Sequence, residues 1–111
     1  MIFLSYNHRG LASQPKKLTL RELVKAHNPD VILIQETLGQ GEEVKGTLSK
    51  LFPGWIFHAF DGNGRFGGVA SGFKVRNLKE ISSWGFENTL AVELYSKELC
   101  LPLLLLNVYG P

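Results

Sequence analysis

The chain has 111 residues, 44% of them hydrophobic, with 12 basic against 10 acidic side chains and a formal charge of +2. An aromatic content of 11% excludes a disordered tail, and no apolar run approaches the ~20 residues of a membrane-spanning helix. Cys100 is the only cysteine, so a disulfide-stapled scaffold is excluded too. The basic residues are scattered, not gathered in a stripe, so charge permits a phosphate-bearing partner without demanding one. Met1 to Ser5 carries no charged leader, which points to an intracellular protein.

In chain order, Ile2 to Tyr6 reads as a buried strand running into the polar stretch Asn7-His8-Arg9-Gly10. Pro15 suits a first helical turn, and Leu20, Leu23, Val24 and His27 follow at the spacing of one helical stripe. Asn28-Pro29 ends that helix, because a residue before proline is pushed out of the helical region. Val31 to Ile34 is a run of branched apolar residues without polar alternation, the pattern of a strand covered on both faces. Val44, Leu48, Leu51 and Phe52 make a second helical stripe, stopped by Pro53-Gly54. Strand-type segments follow at Trp55 to Phe60, Gly67 to Val75, Leu78 to Trp84, Leu90 to Tyr95 and Leu101 to Tyr109. The order predicts mixed α/β layering in place of a pure doubly wound sheet.

Three strands end in polar side chains: the first at Asn7, the second at Gln35-Glu36, the last at Asn107 and Tyr109. Buried strands that all discharge polar groups at their C-terminal ends are what a site on one rim of a sheet requires. Glu36 carries most of the information. A carboxylate directly after an apolar strand risks desolvation, which costs several kcal/mol unless an opposite charge compensates. No Lys or Arg lies within seven residues of it on either side. A divalent cation is one economical partner, since Mg²⁺ is held by one or two carboxylates with water and phosphate completing its shell. A glutamate that reaches solvent, or one paired with a distant arginine, accounts for the spacing at least as well.

The blocks Asn7-His8-Arg9-Gly10-Leu11, Pro29-Asp30 through Gln35-Glu36-Thr37, Gly67-Gly68-Val69-Ala70 and Asn107-Val108-Tyr109-Gly110-Pro111 occur in this order along the chain. In that order and spacing the sequence resembles the endonuclease/exonuclease/phosphatase (DNase I-like) superfamily. It resembles in particular the apurinic-type endonuclease domains of plant LINE-like (non-LTR) retroelements. The resemblance implies a single C-terminally truncated domain over 1–111, the N-terminal half of a four-layer α/β sandwich with mixed β-sheets flanked by helices. It implies metal-assisted hydrolysis of a phosphodiester, with Mg²⁺ (or Mn²⁺) on Glu36. Asn7, Asn107 and Tyr109 would be catalytic, Asn7 orienting the metal-side carboxylate or the scissile phosphate and Tyr109 donating its hydroxyl to a phosphate oxygen. Neutral donors beside a carboxylate-held ion suit this chemistry, since they hold a phosphate in line without repelling it. Arg9 and His8 would meet the phosphate backbone of DNA, although a solvated loop charge and an incidental loop histidine fit those positions as well. The nick would leave a 3′ hydroxyl to prime reverse transcription, with action in the nucleus.

The superfamily's later Asp-x-Asn and Ser-Asp-His motifs are not matched before Pro111. The chain is therefore expected to be inactive alone and to self-associate through an uncovered sheet face. Alternatives are a non-catalytic truncated relic, or a member acting on an inositol phosphate, a sphingolipid or RNA. The remaining candidates read structurally. Asp61-Gly62-Asn63 has turn chemistry, His27 closes a helix, His58 sits in a strand, Trp55 and Trp84 suit the core, and Cys100 reads as a buried small hydrophobe. Gly67-Gly68 is read as close strand packing or a bulge.

Overall fold

A computed structural model of the chain describes residues 1–7, 13–61 and 67–109. The elements are β1 (Phe3–Asn7), α1 (Gln14–His27), β2 (Val31–Gln35), α2 (Gly41–Leu51), β3 (Trp55–Phe60), β4 (Val69–Lys74), β5 (Leu78–Phe86), β6 (Thr89–Ser96) and β7 (Leu101–Val108). Helix α1 starts where Ser13 accepts a hydrogen bond from the Lys16 N–H at 3.4 Å, with proline in the first turn. It stops at Asn28, which takes a left-handed conformation (φ 45°) and returns its N–H to the Val24 carbonyl. Helix α2 places Glu42 and Glu43 in its first turn and Lys50 in its last, the arrangement its dipole favours. Asp61 accepts from the Gly41 N–H at 2.8 Å and so serves the start of α2. Asn63 lies outside the described residues.

Two sheets form. The first has the order β1-β2-β4-β3, with β1 and β2 parallel and the other pairs antiparallel; the second is the antiparallel meander β5-β6-β7. The parallel register sets Asn7 opposite Gln35, so β1 and β2 finish side by side. Val31, Ile32 and Ile34 are fully buried, as a strand covered on both faces demands. Leu20, Val44, Leu48, Phe52 and Phe57 join Ile32 and Ile34 in the core between the helices and the first sheet. Val31, Val69, Phe73, Leu78, Leu90, Val92, Leu94 and Leu105 fill the space between the sheets. The described residues thus stack as helices, sheet and sheet, the mixed α/β architecture that the sequence leads one to expect.

Several burial expectations are corrected. Strand β1 is an edge strand and not a buried one: Ile2 and Phe3 are about half exposed, because only β2 flanks it. The leucine run of β7 alternates, with Leu105 buried and Leu104 and Leu106 exposed, since β7 is also an edge and only one of its faces meets the first sheet. Trp84 is exposed on the outer face of the second sheet. Cross-strand pairing puts Trp84, Phe86, Leu104, Leu106 and Val108 on that one face, around the buried Ala91. Cys100 is exposed in a left-handed turn (φ 56°), not buried. Trp55 is partly buried and stacks on Phe57, with centroids 5.9 Å apart. His58 meets Glu80 at 2.5 Å and ties β3 to β5, a satisfied sheet histidine.

The sheets are also tied through one buried amide. Asn107, 1% exposed, donates through Nδ2 to the Ile34 carbonyl (3.2 Å), the Ala70 carbonyl (2.9 Å) and Ser71 Oγ (3.1 Å). Its Oδ1 accepts from Gln35 Nε2 at 2.8 Å. One β7 side chain therefore holds β2 and β4 of the opposite sheet. Asn107→Ala strands buried acceptors in an apolar interior and is expected to cost about 2–4 kcal/mol. Urea denaturation followed by circular dichroism measures it; a loss below about 0.5 kcal/mol, the usual limit for surface changes, would show that the clamp contributes nothing.

Candidate active site

The strand ends predicted to carry chemistry converge on one rim. Strand β1 delivers Ser5 and Asn7, β2 delivers Gln35 and the following Glu36, and β7 delivers Asn107 and the following Tyr109. Together with Leu33, Leu106 and Val108 they line a single open cavity of about 400 Å³. The parallel pairing of β1 and β2 supplies two of these walls, and the inter-sheet packing brings the third. Asn7 is exposed, Glu36 and Tyr109 are half-buried, and Asn107 is buried behind them. His8 and Arg9 lie outside the described residues.

Glu36 leaves the strand through a left-handed conformation (φ 58°), as does Leu38 (φ 54°). Non-glycine residues rarely adopt it, and it costs on the order of 1–2 kcal/mol. Two hydrogen bonds oppose that cost: the Thr37 N–H to the Gly68 carbonyl at 3.3 Å and the Leu38 N–H to the Gly67 carbonyl at 2.8 Å. The turned-out carboxylate receives the Tyr109 hydroxyl, which donates to Glu36 Oε1 at 3.3 Å. Tyr109 is anchored in turn by its backbone: its N–H donates to the Asn88 carbonyl at 3.0 Å, and the Asn88 side-chain amide donates back to the Tyr109 carbonyl.

Behind this pair runs a second polar line. Gln35 Nε2 donates to Asn107 Oδ1 at 2.8 Å and stands 3.4 Å from Ser5 Oγ. The hydrogen bonds of the Asn107 amide go to the two sheets and to Gln35, so at the cavity wall its polar atoms are already engaged. Sequence reasoning placed Gln35 at a polar strand end but gave it no role, and it passed over Ser5 and Asn88. Gln35 had a signal, its place beside Glu36 at a strand end; Asn88 had none, being 21 residues from Tyr109 and brought to it by the pairing of Thr89 with Val108.

Among the described residues no three His, Cys, Asp or Glu side chains stand together as a ready-made metal cage. The donor set at the rim is one carboxylate beside the neutral oxygens of Asn7, Ser5 and Tyr109. Hard oxygen donors with a single carboxylate fit Mg²⁺ or Mn²⁺, which keep water and phosphate in the remaining positions. Zn²⁺ sites are usually built on Cys or His ligands, and among the described lining residues there is neither.

The fold recurs in solved structures. The mannosyl-6-phosphatase Bt3783 of Bacteroides thetaiotaomicron matches with a TM-score of 0.73 at 12% identity, over 97% of this chain and 51% of that one. An AP endonuclease from Leishmania major matches with a TM-score of 0.71 at 20% identity, over 98% of this chain and 40% of that one. The 3′ phosphatase NExo from Neisseria, bound to product DNA hairpin, matches with a TM-score of 0.71 at 17% identity, over 98% and 41%. The chain thus spans about half the length of the solved chains it matches, or less. No curated protein matches it in sequence. The family model described as Endonuclease/Exonuclease/phosphatase family matches residues 4–88. With more than half of its residues matched, the chain belongs to the Endonuclease/Exonuclease/phosphatase family.

Proposed function

We propose that the rim formed by Asn7, Glu36 and Tyr109 is the metal- and phosphate-facing wall of a Mg²⁺-dependent phosphodiesterase site, in a DNA endonuclease of the non-LTR retroelement type. The observation that carries this reading is the Tyr109 hydroxyl set against the Glu36 carboxylate at the mouth of a polar cavity. Retroelement character rests on the Asn7-His8-Arg9-Gly10-Leu11 opening together with Gln35-Glu36-Thr37. A DNA partner draws support from the fold relatives, which include an AP endonuclease and a phosphatase bound to product DNA.

In this reading Glu36 holds the divalent ion, which when bound stabilises charge developing on a phosphate oxygen. Tyr109 then has two duties: it orients the carboxylate, and it offers a neutral O–H to the phosphate. Asn7, exposed on the same rim, fixes the phosphate without adding charge that would repel it. Gln35 and Asn107 keep the rim at its distance from the core. Arg9 contacts backbone phosphate, which positions the duplex without reading its sequence.

The full 111-residue chain is expected to bind Mn²⁺ by calorimetric titration and to lose that binding in Glu36→Ala. Tyr109→Phe, which keeps the ring, is expected to weaken it several-fold. Among the described residues the two aspartates receive backbone N–H groups, Asp30 that of Ile2 and Asp61 that of Gly41, and neither meets a histidine; an Asp–His general base contributes ~10²–10⁴-fold. Supercoiled plasmid should therefore stay intact with this chain and Mg²⁺. Nicking that depends on both Mg²⁺ and Glu36 would disprove the inactivity, while Mn²⁺ binding untouched by Glu36→Ala would remove the metal assignment.

We also propose that the isolated chain self-associates through the outer face of the second sheet, where Trp84, Phe86, Leu104, Leu106 and Val108 are all about half exposed or more. Size exclusion should show oligomers that Leu104→Lys with Leu106→Lys shifts toward monomer. A monomeric, cooperatively melting wild-type chain would contradict this.

A further inference from the structure

Both members of the Glu36–Tyr109 pair lean on one dipeptide. Gly67 and Gly68 adopt φ of 82° and 85°, conformations that L-residues with a side chain rarely take. Their carbonyls receive the Leu38 and Thr37 N–H groups, and these two bonds hold the left-handed turn that aims Glu36 outward. The Tyr109 ring lies directly on Gly67. A Cβ added there would stand 2.6 Å from Cδ2 and Cε2 of the ring and 2.9 Å from Cγ. On Gly68 a Cβ would stand 2.5 Å from the hydroxyl of Thr37, which is 3% exposed. Strand β4 follows the dipeptide directly, and it is the carbonyls that face the Glu36 turn, so this is not an N–H cradle for phosphate.

We propose that Gly67 and Gly68 are positioning residues that set the Glu36 carboxylate and the Tyr109 hydroxyl against each other. Gly67 is the floor under the phenol ring, and the two carbonyls clamp the turn on the other side. The distance between acid and phenol is thereby set by one rigid segment of backbone, a requirement for a site held to sub-ångström tolerance. Its bearing on metal binding rests on the functional reading above; the geometric statement stands without it. Gly54 supplies the contrast, with φ 86° but nothing within 4 Å of a built Cβ, so it answers to backbone conformation alone.

The test uses the full chain in four forms: wild type, Gly67→Ala, Gly67→Asn and Gly54→Ala. Asparagine tolerates the left-handed conformation better than alanine and so isolates the contact from the strain. The first readout is the nuclear Overhauser effect between the Tyr109 Hε and Glu36 Hγ protons in metal-free protein. The second is Mn²⁺ affinity by electron paramagnetic resonance. Both Gly67 variants should lose the Overhauser effect and bind Mn²⁺ ~10-fold more weakly, the usual size of an outer-shell defect, while Gly54→Ala keeps both. A wild-type chain without the Overhauser effect, or a Gly67→Ala chain that retains it, overturns the proposal. A wild-type chain that shows the effect but binds no Mn²⁺ sinks the functional reading instead, and the Overhauser comparison still decides the positioning. Should Gly67→Ala fail to fold, the same change in a Tyr109→Ala background decides: restored folding supports the contact, and absence of rescue overturns it.

Discussion

A side-chain amide sealed in an apolar interior must satisfy every donor and acceptor it has, and Asn107 does so by reaching across two sheets. Its Nδ2 holds carbonyls of β2 and β4, and its Oδ1 receives the Gln35 amide that points back toward the rim. Sliding one sheet over the other breaks these bonds together. The relative setting of the sheets is thus held by directional bonds as well as by packing, which is non-directional and tolerates shifts. The rim exists only if that setting holds, because its walls come from both sheets: Asn7 and Glu36 from the first, Tyr109 from the second.

Among the described residues, the polar side chains that line the cavity with Glu36 are neutral: Gln35, Ser5, Asn7, Asn107 and Tyr109. Of these neutral groups, the Tyr109 hydroxyl is the one that donates to the carboxylate. The cost appears in the backbone, where Glu36 and Leu38 both occupy the left-handed region. Strain of this kind persists where surrounding structure over-determines it, and the Gly67 and Gly68 carbonyls do so here.

The two faces of the molecule are finished differently. Helices α1 and α2 cover the first sheet with Leu20, Val44 and Leu48, while the second sheet presents Trp84, Phe86, Leu104, Leu106 and Val108 outward. Scattered surface apolar residues need no explanation, but a contiguous patch on one sheet face does.

Local patterning determined much of this protein. The order of helices and strands, the first turn at Pro15 and the stop at Asn28, the fully buried β2 and the polar strand ends at Asn7, Gln35-Glu36, Asn107 and Tyr109 are all legible along the chain, because each depends on periodicity and on residues a few positions apart. The family is legible for the same reason, since its motifs are short and contiguous. Tertiary structure decided the rest. Which strands stand at edges depends on pairings up to dozens of residues distant, and that exposed Phe3, Trp84 and Leu104 although their local patterns read as buried. Asn107 became a clamp, Asn88 an anchor for Tyr109, and Gly67 a floor beneath its ring through contacts that no spacing along the chain encodes. Sequence distance carries the pattern of a single element, whereas these contacts arise when separate elements meet in space.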